Sequence, residues 1–132
     1  MANKNIEDNY SSEIIFTLKE LKGKEKVRYS DLTGIDKLND VVTEAEPLTV
    51  DIDNIIKMAV HNPSATDGTD YTVTIVTDKN GNAYYTSSET FNTTLDGIVK
   101  AMDDCDEEWG IKVFKRPSKT RKGQFFITCT VY

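Results

Sequence analysis

The chain has 132 residues, enough for one domain with one core and too few for a large barrel or doubly wound enzyme. Its 38% hydrophobic and 29% charged residues describe a globular chain, and no apolar run nears the ~20 residues that span a bilayer. The net charge of −6 is unevenly placed: residues 111–132 hold six basic residues and no acidic one, which leaves ten basic and 22 acidic residues, a net of −12, in residues 1–110. Such a body repels nucleic acid, whereas the tail can still bind it locally, because contacts are decided within a Debye length of roughly 8 Å. A folded hairpin solvated by its lysines is the other reading of the same charges. The N-terminus lacks an apolar signal segment, so export is not expected. Two cysteines, Cys105 and Cys129, fit reduced thiols of a cytoplasmic protein rather than a disulfide framework.

Residues 1–12 are polar and predict a flexible leader before a single domain at 13–132. Glu13–Phe16 is a short apolar stretch. Thr17–Leu21 predicts one helical turn capped by Thr17 and ended by Gly23. Lys26–Tyr29 alternates as an edge strand does. Residues 30–46 fit a loop or a short helix. Leu48–Asp53 alternates with period two and predicts a half-buried strand. Ile55–Val60 either continues that strand through a bulge or forms a helical turn. His61–Gly68 is dense in turn formers and predicts a loop.

Tyr71–Thr77 is rich in β-branched residues, and Ala83–Thr86 follows Asn80-Gly81. That pair favours a two-residue type I′ turn, so a hairpin is predicted in which Tyr85 faces Val76. Phe91, Leu95, Ile98, Val99 and Met102 share one helical face. They predict an amphipathic helix near 89–103, capped by Ser87 or Ser88, with Glu89 suited to the first turn. An acidic cluster at 103–108 ends it. Ile111–Phe114, a basic loop from Lys115 to Gly123, and Phe125–Val131 predict a closing hairpin.

Signals for catalysis are weak. His61 stands alone in its loop, with nothing marking a nucleophile or an orienting acid. Asp51 and Asp53 share a strand face and could hold Mg²⁺ with a third ligand, but the polar side of an amphipathic strand explains them. Asp78–Asn82 lacks the spacing of a calcium loop, and a turn accounts for it. The cysteines lack zinc-ligand spacing, and phosphate-binding glycine motifs are missing. Neither an enzyme nor a cofactor is expected.

The closing hairpin says more. Period two puts Ile111, Val113, Phe125, Ile127, Cys129 and Val131 on one face, a core face. The other face carries Lys112, Phe114, Phe126, Thr128, Thr130 and Tyr132. Exposed rings beside cations suit single-stranded nucleic acid, whose bases stack at ~1–3 kcal/mol each while cations follow the phosphates. Tyr85 is a candidate addition. Alternatively the helix near 89–103 covers Phe114 and Phe126.

The run Asp70–Thr77, the run Asn80–Ser88 and Phe114-Lys115-Arg116-Pro117-Ser118-Lys119-Thr120-Arg121-Lys122-Gly123-Gln124-Phe125-Phe126 resemble phage-encoded single-stranded DNA-binding proteins with an OB fold. The leader Phe16–Lys24 is also similar to theirs, and the likeness covers residues 16–132 as a pattern. It implies a mainly β, OB-like barrel of about five strands that binds a strand across one face through aromatic and basic side chains. The acidic, Phe-ending tail of bacterial proteins with this function has no counterpart at Val131–Tyr132, so recruitment through such a tail is not expected. The expected function is therefore single-stranded DNA binding in phage DNA replication or recombination, in the host cytoplasm and away from membranes. Lys112, Lys115, Arg116, Lys119, Arg121 and Lys122 would contact phosphates; Phe114, Phe126 and Tyr85 would stack bases. Replication or recombination proteins are candidate further partners, and a homo-oligomer is compatible with the pattern. The alternative is an acidic DNA mimic that blocks a host nucleic-acid-binding protein through the clusters at 44–53 and 103–108. A third reading is an assembly module that pairs its hairpin edge with another subunit.

Overall fold

The computed structural model describes residues 10–32, 34–64, 70–103, 105 and 107–132. Most of the expected leader, part of the loop after His61, and Asp104 and Asp106 of the acidic cluster lie outside the described residues.

One long strand organises the rest. Strand β3 (Leu48–His61) sends Val50 and Ile52 into one core. A bulge between Ile52 and Asn54 then shifts the alternation. Ile55 therefore joins the same core, while Ile56, Met58 and Val60 enter a second core on the opposite face. Asn54 holds the bulge. Its Oδ1 accepts from the backbone N–H of Lys19 at 2.8 Å and of Ile55 at 2.9 Å, and its Nδ2 donates to Lys19 O at 3.2 Å. The run from Ile55 to Val60 is thus a strand continued through a bulge, and it is apolar on both sides because both sides are covered.

Strand β4 (Asp70–Asp78) lies antiparallel along one edge of β3. The other edge is shared by β1 (Ser11–Thr17) and β6 (Gly110–Pro117). Strand β5 (Ala83–Thr86) pairs with β4, the two-residue β2 (Asp36–Lys37) with β5, and β7 (Phe125–Val131) with β6. Among the described residues the result is a curled, half-barrel sheet of seven strands rather than about five. Strand β1 also begins at Ser11, inside the segment predicted as leader.

Among the described residues there are three helices: α1 (Gly23–Asp31), α2 (Leu38–Val41) and α3 (Glu89–Met102). Helix α3 is as predicted. Ser88 Oγ accepts from Phe91 N at 3.3 Å, and Phe91 and Leu95 are fully buried. They pack in the first core with Ile111, Val113, Ile127 and Cys129.

Helix α1 replaces the edge strand expected at Lys26–Tyr29, and the turn expected at Thr17–Leu21 is not helical. In a strand Val27 and Tyr29 would share a face. Here Val27 is 65% exposed, while Tyr29 packs with Leu21 and Ile35 in the second core. Lys22 N donates to Glu25 Oε1 at 3.0 Å and starts the helix. Leu32, at φ +56°, ends it in the left-handed conformation.

The β4–β5 hairpin forms with a different turn. Asp78 Oδ1 accepts from Asn80 N at 2.9 Å and Asn82 N at 2.8 Å, and Gly81 sits at φ +91°. The loop is one residue longer than a type I′ turn, so Tyr85 faces Ile75 rather than Val76. Among the described residues, no helix is long and apolar enough to cross a membrane.

Candidate nucleic-acid interface

On β6, Ile111 and Val113 are fully buried, so Lys112, Phe114 and Arg116 point outward. The two cations flank the ring between them: Arg116 Cζ lies 5.0 Å and Lys112 Nζ 5.6 Å from the Phe114 centroid. Across the ladder, Lys112 faces Thr130, Phe114 faces Thr128 and Arg116 faces Phe126. Four predicted residues therefore share one wall: Lys112, Phe114, Arg116 and Phe126.

The hairpin loop adds three more cations. Ser118 N donates to Gln124 O at 2.8 Å, closing it. Ser118 Oγ accepts from Thr120 N at 3.3 Å and Arg121 N at 3.1 Å, and Gly123 takes φ +82°. The loop is thus braced from within, and Lys119, Arg121 and Lys122 are exposed on it. A pocket of about 910 Å³ lies between this loop and the strands, lined by Thr90, Arg116, Lys119, Arg121, Phe125 and Phe126 among others. Among the described residues, no carboxylate forms an ion pair with Lys112, Arg116, Lys119, Arg121 or Lys122.

Helix α3 borders this wall without sealing it. Thr90 lines the pocket, and Thr94 Oγ1 lies 3.5 Å from Thr128 Oγ1. Phe114 and Phe126 remain half-buried.

Four predicted placements change. Lys115 points to the opposite side of β6, where its Nζ donates to Asn39 O at 2.9 Å and ties the strand to α2. Tyr85 sits half-buried against the second core, away from this wall. Phe125, expected in the core, is 49% exposed, and Val131 is 42% exposed. Phe125 pairs with Pro117 at the hairpin mouth, past the end of the packed interior. It is the aromatic that alternation alone misassigned, and its place directly after the Gly123-Gln124 turn was the available signal.

Other candidate chemistry is engaged elsewhere. Tyr132 donates its hydroxyl to Asp51, which raises the tyrosine's pKa, and Asp53 pairs with Lys19 Nζ at 2.8 Å. His61 Nδ1 lies 2.7 Å from Asp70 Oδ1. Cys129 is buried, and burial pushes its thiol up to about 12, whereas Cys105 is exposed. Among the described residues, no group of three His, Cys, Asp or Glu side chains is placed to hold a metal. No family model, curated protein or solved structure matches this chain.

Proposed function

We propose that the protein is an OB-type barrel that binds single-stranded DNA in phage DNA replication or recombination. The observation that carries this reading is the outer wall of β6, β7 and their loop. It gathers the rings of Phe114 and Phe126 and five exposed cations, with the exposed Phe125 beside them at the hairpin mouth and no ion-paired carboxylate among the described residues. Bases stack on rings while phosphates take the cations, which is how single strands are held without reading sequence. A base arriving on Phe114 displaces Lys112 or Arg116 from the ring toward the adjoining phosphate.

Strand connectivity also supports the barrel assignment. Strands β3, β4 and β5 form a meander, helix α3 follows, and β6 returns to pair with β3 before turning into β7. That is the strand–strand–strand–helix–strand–strand path of an OB barrel, with β1, α1, β2 and α2 as an N-terminal addition.

The test is fluorescence anisotropy of a labelled oligo-dT of about 30 nucleotides, with a duplex of equal length as control, across a salt series. Selective, salt-sensitive binding of the single strand is expected. Phe114→Ala with Phe126→Ala lowers affinity about tenfold or more and leaves the salt slope unchanged. Arg116→Ala with Lys119→Ala flattens the slope by about 1.4, from roughly 0.7 per single-strand phosphate contact. No binding at low salt, or binding untouched by all four substitutions, overturns the assignment.

A further inference from the structure

In an OB barrel, oligonucleotides lie on the outer face of the second and third strands, framed by two loops. Those strands correspond here to β4 and β5, and their outer face is occupied. Leu21, Tyr29 and Ile35, from α1 and its flanks, pack on Ile56, Met58, Val60, Val73, Ile75 and Ala83. Tyr29 is 5% exposed and Ile75 is fully buried, so this is a sealed core and not a resting contact.

What remains open next to it suits a polyanion poorly. The adjoining groove presents Tyr71 and Tyr85, but also Asp70, Glu89 and Asp96. Its two lysines are Lys37 and Lys57, and the Lys57 ammonium is already held by Asp96. With the Lys57–Asp96 pair set aside, Asp70 and Glu89 face Lys37 among the described residues, a net negative balance that repels phosphate at close range.

Resting on the proposed function, we infer that this protein grips a short stretch of single strand, about six nucleotides or fewer, confined to the β6–β7 wall and its loop. From Lys112 to Arg116 is roughly 13 Å of strand, and carrying the same ~3.3 Å rise per residue on to Ser118, where the loop closes, gives roughly 20 Å. At the ~3.4 Å spacing of stacked bases that length holds about six nucleotides, and fewer when the strand is extended. This is the low end of the ~4–16 nucleotides that OB folds cover. Helix α1 carries exposed Lys24 and Arg28, neither of which lines this groove.

The experiment is a length series of oligo-dT, from 4 to 30 nucleotides, titrated into the full chain at one low salt concentration. Affinity is corrected for the number of overlapping positions on each oligomer. The corrected affinity rises to about six nucleotides and is flat beyond. In parallel, Lys24→Glu with Arg28→Glu shifts affinity less than twofold, while Arg116→Glu with Lys119→Glu lowers it at least tenfold. Circular dichroism of each variant confirms the fold. A corrected affinity that keeps rising past twelve nucleotides overturns the confinement and leaves single-strand binding standing, as does an α1 variant as damaging as the hairpin variant. No binding at any length overturns both.

Discussion

Gly110 shows how one residue without a side chain closes the C-terminal strand. A Cβ built there would lie 2.6 Å from Val50 O and 2.5 Å from the Tyr132 ring. The ring can swing aside, but the carbonyl belongs to the β3–β6 ladder and cannot. Tyr132 uses the space: its N–H donates to Gly110 O at 3.1 Å and its hydroxyl reaches Asp51. Gly110→Ala therefore pushes β6 off β3 and costs about 1–3 kcal/mol, the range for forcing atoms into filled space. The check is the urea midpoint, which should fall with an unchanged slope. Tyr132→Phe removes only the hydroxyl contact on an exposed ring and should leave the midpoint nearly in place. Equal losses for the two variants would show that the hydroxyl bond, not the close approach, fixes the strand end.

At the scale of elements, legibility followed how many residues shared one signal. Helix α3 was readable because five apolar residues repeat at helical spacing behind a serine cap. The β4–β5 hairpin was readable as a hairpin but not in register, since Asn80-Gly81 serves either turn. The Asp78 carboxylate, which binds two loop N–H groups, selects the longer one. Helix α1 was illegible for a plainer reason: Lys-Val-Arg-Tyr fits both periods over four residues, and what decides is the second core that Tyr29 enters. The candidate wall was legible at Lys112, Phe114, Arg116 and Phe126, where alternation holds. It failed at Lys115, read as loop although β6 runs through it and alternation turns it to the opposite face, and at Phe125, where the packed interior ends and alternation no longer says what is covered. Asn54 joins these levels, because one buried amide fixes both the bulge in β3 and the chain leading to α1. Asn54→Ala leaves Lys19 and Ile55 N–H groups without their acceptor and is expected to cost about 2–4 kcal/mol. Asn54→Asp keeps the acceptor for both N–H groups and loses the bond to Lys19 O, so it should cost less. Thermal denaturation of the two variants separates the cases.

Over the whole molecule, the charge asymmetry becomes a division of labour. The 22 acidic residues all precede the hairpin, and five of the six cations of residues 111–132, all but Lys115, stand on a wall of their own. An acidic body weakens every phosphate contact by long-range repulsion, and that repulsion is what salt removes first. Glu44 and Glu46 are exposed just before β3, whose first residue Leu48 pairs with Val113 of β6. Unlike Asp51, which sits in the ladder and holds the Tyr132 hydroxyl, they lie just outside that strand pair. Glu44→Gln with Glu46→Gln should therefore raise affinity for oligo-dT about two- to threefold at 20 mM salt and leave it unchanged near 300 mM, where the Debye length has fallen to roughly 6 Å. A gain that persists at high salt would mean that these carboxylates touch the strand's path directly. A loss of affinity at low salt would mean that they orient the hairpin cations instead of opposing the ligand.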